Sequence, residues 1–122
     1  NMQFLFPLTL LDVIRLHNRE AGEEDAFKVG LFSSRQLFSL PWNSASGGER
    51  QKTLLTSAFL SKSDLYVFDE PFNHLDKKSA QRVIQLLQGA LTNGAAVLLV
   101  AHEHTADFAE LKGQNLELVA HP

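Results

Sequence analysis

Asp69 and Glu70 stand side by side directly after the apolar run Leu65-Tyr66-Val67-Phe68, and Pro71 follows them. Four apolar residues thus deliver two adjacent carboxylates to the end of one element. An aspartate placed there can hold Mg²⁺ directly or through water, because a small hard cation takes oxygen ligands. The neighbouring glutamate points differently and can polarise an attacking water, a general-base step contributing roughly 10²–10⁴-fold. A solvated acidic turn after any buried strand would carry the same two residues, so the pair alone leaves both readings open.

Ser46-Gly47-Gly48-Glu49 is a second group. Two glycines at a helix start let the backbone approach a ligand closely, and a helix N-terminus favours an anion. Ser46 either donates its hydroxyl to that anion or caps the helix. Asn73-His74-Leu75-Asp76 follows the carboxylate pair, with Asp76 placed to cap the next helix and His74 in a loop. His102 and His104 would share a side only in an extended strand, and with no third ligand nearby they do not make a zinc site.

The elements that must position these residues can be read from hydrophobic periodicity. Leu10, Val13, Ile14 and Leu16 group on one helix face, with Thr9 as a plausible N-cap. Asn18 to Asp25 is polar and contains Gly22, so it reads as a loop or exposed turn. A short segment in which Ala26, Phe27, Val29, Leu31 and Phe32 can pack comes next, and Pro41 then forbids a continuous helix. A helix opens at Ser46, with Leu54, Leu55, Ala58 and Phe59 at helical spacing. Leu65 to Phe68 suits a strand buried on both faces. A helix from Lys77 to Leu91 buries Val83, Ile84, Leu87 and Leu91 and ends at Asn93-Gly94. Ala95 to Val100 is a second apolar strand; a short helix around Thr105 to Leu111 and a last strand, Leu116 to Val119, complete the chain. Strand, helix, strand with both strands apolar throughout is a βαβ unit and implies a parallel sheet. Ligands of open parallel sheets sit at the carboxyl ends of the strands, where Asp69, Glu70 and His102 fall.

The 122 residues are 44% hydrophobic and 20% charged, ordinary for a folded globular chain with a modest core. A net charge of −3 and the lack of any basic run give no electrostatic footprint for nucleic acid. The absence of cysteine removes disulfides, thiol catalysis and thiolate metal sites. The longest apolar stretch, Ala95 to Ala101, falls far short of the roughly 20 residues a membrane-spanning helix needs, so any link to a membrane runs through a partner. A start at Asn1 close to an apolar run, with no preceding strand, suggests a piece of something longer.

Taken in order, Ser46-Gly47-Gly48-Glu49-Arg50-Gln51-Lys52, Leu65 to Pro71, Asn73 to Asp76 and Leu98-Leu99-Val100-Ala101-His102 resemble the ABC ATPase family. They look like its signature motif, its Walker B strand with the glutamate, its D-loop and its H-loop histidine. The intervals from Gly48 to Asp69 and from Asp69 to His102 also resemble the family. The likeness implies an α/β fold, the C-terminal part of a P-loop NTPase-like parallel sheet with a helical subdomain on its N-terminal side. Residues 1–45 would be a partial helical subdomain following the Q-loop, and residues 46–122 the C-terminal part of the RecA-like ATPase core.

By the same resemblance, Asp69 would bind Mg²⁺ through water, and Glu70 would be the base aligning the water that attacks the γ-phosphate of ATP. His102 would contact that phosphate. Ser46, Gly47, Gly48 and Glu49 would cover ATP bound by an opposing ABC ATPase domain, and Asp76 with its loop would signal across that dimer. Phe6 to Val13 resembles the segment after the Q-loop, whose glutamine would lie near Asn1 or Gln3. The implied protein is the ATP-hydrolysing subunit of an ABC transporter, peripheral to the inner face of the membrane and docked on a permease.

Three departures stand against the pattern. No G-x-x-x-x-G-K-[ST] loop occurs, so the cradle for the β- and γ-phosphates is missing. The aromatic A-loop and the β-rich N-terminal subdomain are missing as well. Ala45 replaces the usual leucine of the signature, a loss of packing rather than of chemistry. Two other readings remain. One is a soluble ABC-type protein acting on ribosomes, suggested by Asn73-His74-Leu75-Asp76. The other is an inactive fragment, since residues 1–122 alone are expected to bind ATP weakly and not to turn it over.

Overall fold

The computed structural model describes residues 7–101 and 116–120. They fall into two compact units, Asn1–Lys62 and Ser63–Pro122. The sequence motifs place a boundary at residues 45 and 46, whereas the first compact unit runs on through the helix that Ser46 opens, because that helix packs on two helices before it.

In the first unit, helix α1 (Leu10–Arg15) is fixed by a reciprocal cap. The Thr9 hydroxyl accepts from the Asp12 N–H at 3.1 Å and the Asp12 carboxylate accepts from the Thr9 N–H at 2.9 Å. Leu10, Val13 and Ile14 are buried as the periodicity predicts, but Leu16 is the C-cap and is exposed. Helix α2 (Glu23–Lys28) carries Glu23, Glu24 and Asp25 in its first turn, where the helix dipole favours acids. Beyond it Val29, Leu31 and Phe32 are buried, and the Phe32 and Phe38 rings meet at 4.7 Å between centroids. Two 3₁₀ turns, Arg35–Ser39 and Trp42–Ser44, flank Pro41, whose ring forbids a helix there. The Leu10 N–H to Leu40 carbonyl bond (2.9 Å) and the Trp42 N–H to Leu8 carbonyl bond (2.8 Å) tie this stretch back to the start of α1.

Helix α3 (Gly47–Leu60) packs on α1 and α2. Its buried residues are Thr53, Leu55, Thr56 and Ser57, and Leu54 is 42% exposed, so the expected stripe of Leu54, Leu55, Ala58 and Phe59 is rotated. The physical reason is that hydroxyl side chains can enter a helix interface when they bond back to the preceding turn. Thr53 does so, donating to the Glu49 carbonyl at 2.7 Å. The Ser57 hydroxyl accepts from the Asn18 amide at 3.1 Å, whereas the buried Thr56 hydroxyl makes no hydrogen bond among the described residues. A polar letter on a buried face is invisible to hydrophobic counting.

The second unit holds strands β1 (Leu65–Asp69), β2 (Ala96–Ala101) and β3 (Leu116–Ala120) in the order β1-β2-β3, all parallel. The register pairs Phe68 with Leu99 and Asp69 with Val100. Helix α4 (Lys77–Thr92) connects β1 to β2, which is the βαβ unit the sequence implies. Asp76 caps it, accepting from the Ser79 N–H at 3.1 Å, and Val83, Leu87 and Leu91 are buried where α4 lies on β2. The helix stops at Asn93 and Gly94, the latter at φ 91°, a conformation glycine reaches without a Cβ clash.

One expectation fails in β1. Phe68 is buried, but Leu65 and Val67 are 58% and 57% exposed, so the strand is covered on one face only. Alternate residues of a strand face opposite sides, and α4 supplies a layer on one side of the sheet. Among the described residues no second layer covers the Leu65 and Val67 side. The expected helix at Thr105 to Leu111 lies outside the described residues.

Candidate active site

Asp69 is the last residue of β1 and is exposed, while Glu70 immediately after it is buried, only 7% exposed. The turn that separates them is sharp. Glu70 sits at φ 50°, the left-handed region, which costs a residue with a Cβ about 1–2 kcal/mol. Its N–H donates to the Val100 carbonyl at 2.7 Å, so β2 holds this backbone at the strand end, and its own carbonyl accepts from the Asn73 N–H at 3.2 Å. The two carboxylates therefore face different surroundings, as the sequence expects. Strain concentrated at such a position is common where geometry serves chemistry.

The loop continues through Pro71 and Phe72, both buried, to His74, exposed and again left-handed at φ 64°. The Leu75 N–H donates to the Phe72 carbonyl at 3.1 Å and leads into the Asp76 cap. Two left-handed non-glycine residues within five positions make the segment from Glu70 to Asp76 a tightly folded connection.

Ser46, Gly47, Gly48 and Glu49 belong to the other unit, at the N-terminus of α3. There Ser46 and Glu49 form a capping box. The Ser46 hydroxyl accepts from the Glu49 N–H at 3.0 Å, and the Glu49 carboxylate accepts from the Ser46 N–H at 2.8 Å. A serine hydroxyl has one proton besides its acceptor lone pairs, so capping leaves its donor available. His102, Asn1 and Gln3 lie outside the described residues.

Two further residues carry weight that the sequence did not signal. The Asn18 side chain bonds to the Ile14 carbonyl, the Ser57 carbonyl and the Ser57 hydroxyl, each at 3.1 Å. Arg50 donates from Nε to the Trp42 carbonyl at 3.0 Å and lies over the Trp42 ring at 5.3 Å, steadying the approach to Ser46. An asparagine in a polar run and an arginine in a helix's first turn both read as solvent-facing, so no pattern could single them out.

Among the described residues no three His, Asp or Glu side chains converge as a metal cage. An exposed strand-end carboxylate such as Asp69 nonetheless fits Mg²⁺, which keeps several waters and is held by one or two carboxylates together with phosphate oxygens.

A family model described as "AAA domain, putative AbiEii toxin, Type IV TA system" matches residues 3–105. The ABC transporter ATP-binding protein YthP of Bacillus subtilis (strain 168) is 46% identical, over 81% of this chain and 45% of its own length. A solved ATP-binding subunit of an ABC transporter matches with a TM-score of 0.63 and 28% identity, covering 79% of this chain and 43% of that one. A bacterial ABC transporter cassette in dimeric form matches with a TM-score of 0.70 at 23% identity, covering 95% and 54%. The chain belongs to this AAA-domain family, is similar to ABC transporter ATP-binding proteins, and has the P-loop NTPase-like α/β fold. It spans about half the length of the relatives it matches. No described helix is long and apolar enough to cross a membrane.

Proposed function

We propose that this chain supplies the water-activating and partner-contacting part of the ATP-hydrolysing subunit of an ABC transporter. The observation that carries the reading is the split at the end of β1, where a left-handed Glu70 is buried beside an exposed Asp69. Glu70, held by the Val100 carbonyl, is the general base that orients and deprotonates the attacking water. Asp69 holds Mg²⁺, which when bound neutralises charge on the phosphates. In phosphoryl transfer, positioning and charge stabilisation supply most of the catalysis, so rigid placement of these two groups is what the fold has to provide.

Ser46, Gly47, Gly48 and Glu49 cover the ATP of a second ABC ATPase domain, with the Ser46 hydroxyl proton and the N-terminus of α3 directed to phosphate. Asp76 and its loop face that partner, and His102 contacts the γ-phosphate. The assembly works at the inner face of a membrane through a permease, with no direct role for nucleic acid. Ribosome action is not favoured, because YthP, named as an ABC transporter ATP-binding protein, is 46% identical over 81% of this chain.

The test is Glu70→Gln in the complete protein that contains this chain. ATP turnover is expected to fall by about 10²-fold or more while ATP binding persists. Turnover that survives the substitution intact would remove Glu70 from the role of base.

A further inference from the structure

We propose that Asn93 is a site of spontaneous deamidation, gated by opening of the last turn of α4. Asn93 is exposed at the C-cap of α4 and is followed by Gly94. Glycine presents no side chain beside its nitrogen, and a Cβ built at Gly94 would meet nothing within 4 Å, so the flank of this peptide is open.

The chemistry needs only water. The Gly94 backbone nitrogen, having lost its proton to solvent base, attacks the side-chain amide carbon of Asn93. A C–N bond forms, the bond to the amide nitrogen breaks, and ammonia leaves with the proton returned to it. The product is a five-membered succinimide. Water then adds to one of its two carbonyl carbons and opens the ring. Attack on one side gives aspartate; attack on the other gives isoaspartate, in which the main chain runs through the former side-chain carbon. No atom is oxidised or reduced.

In the folded chain the nucleophile is engaged, since the Gly94 N–H donates to the Leu91 carbonyl at 3.0 Å. The Asn93 N–H is bound in the same turn, to the Gly89 carbonyl at 3.0 Å. Reaction therefore waits on local opening of the helix end, where opening costs less than global unfolding. The consequence is structural. A new carboxylate at the C-terminus of α4 opposes the helix dipole. Isoaspartate also lengthens the main chain just before β2, where the Ala95 N–H to Ala90 carbonyl bond (3.0 Å) and the Ala96 N–H to Asp64 carbonyl bond (2.7 Å) set the start of the central strand.

Digestion at Arg82 and Lys112 releases a peptide in which Asn93 is the single asparagine. The chain is incubated at neutral and mildly alkaline pH, folded or in denaturant, and this peptide is followed by mass spectrometry beside the peptide carrying Asn43, which is exposed but followed by Ser44. The Asn93 peptide is expected to gain aspartate and isoaspartate forms faster than the Asn43 peptide in denaturant. Folding is expected to slow it by about tenfold or more, and Asn93→Gln to abolish the conversion. An Asn93 peptide that stays intact in denaturant while Asn43 converts overturns the site. Equal rates folded and unfolded overturn the gate.

Discussion

The hydroxyl of Ser46 accepts from the backbone N–H of Glu49 while the carboxylate of Glu49 accepts from the backbone N–H of Ser46, at 3.0 and 2.8 Å. A residue assigned to phosphate contact is thus also the cap of its own helix, and the two duties can be separated by substitution. Ser46→Ala removes the cap and is expected to cost about 0.5–2 kcal/mol in the chain. Ser46→Asp keeps a capping oxygen and is expected to stay near wild-type stability. In the complete protein both should lose ATP turnover, the aspartate because its charge repels phosphate. Urea unfolding beside an ATPase assay checks this. An Asp variant with full turnover would leave Ser46 as a cap alone.

Asn18 satisfies carbonyls at the C-terminal ends of two helices at once, Ile14 in α1 and Ser57 in α3, and its own carbonyl accepts from the Ser61 hydroxyl at 2.9 Å. The last four carbonyls of a helix lack partners within it. This amide serves the Ile14 carbonyl and adds to the bonds the Ser57 carbonyl accepts from the Ser61 N–H at 3.3 Å and the Ser61 hydroxyl at 3.0 Å. Asn18→Ala is expected to destabilise the chain by about 1–3 kcal/mol, the cost of losing the bond to the partly buried Ile14 carbonyl and the tie between α1 and α3. Amide exchange should quicken first at residues 57–61, and a stability unchanged within error would show that water replaces the amide.

The parallel βαβ order, the caps at Thr9, Ser46 and Asp76, and the strand-end position of Asp69 and Glu70 were all legible in the sequence. Each rests on a local rule: continuous apolar runs, small polar residues before helices, and a chain that turns polar at a strand end. The buried face of α3 was not legible, because Thr53 answers its own hydrogen-bonding need within the helix and so hides a core position behind a polar side chain. The openness of the Leu65 and Val67 face was not legible either. A continuous apolar run reports that burial is needed, and says nothing about which layer supplies it.

His74 at φ 64° predicts a backbone-specific pattern of tolerance. A β-branched side chain is strained in the left-handed region far more than histidine or asparagine. His74→Val is expected to cost about 1–2 kcal/mol and His74→Asn to be close to neutral. Since the side chain is exposed, lost packing cannot account for the difference, and denaturant midpoints of the two variants decide it. Equal midpoints would mean that the loop relaxes out of the left-handed conformation.

The two sides of the sheet differ in burial. Leu87 is fully buried where α4 lies on β2, so Leu87→Ala leaves a cavity and is expected to cost about 2–5 kcal/mol in the chain. Val67, 57% exposed, lies on the side of β1 where no described layer is present. Val67→Lys is expected to change the stability of the chain by less than about 0.5 kcal/mol, as exposed substitutions do. Parallel sheets, however, are covered on both faces in complete folds. In the complete protein the same lysine is expected to cost several kcal/mol, because an unpaired charge would be driven beneath a second layer. Thermal unfolding of Val67→Lys in both contexts is the measurement. A lysine equally harmless in each would mean that this face stays open to solvent in the complete protein as well.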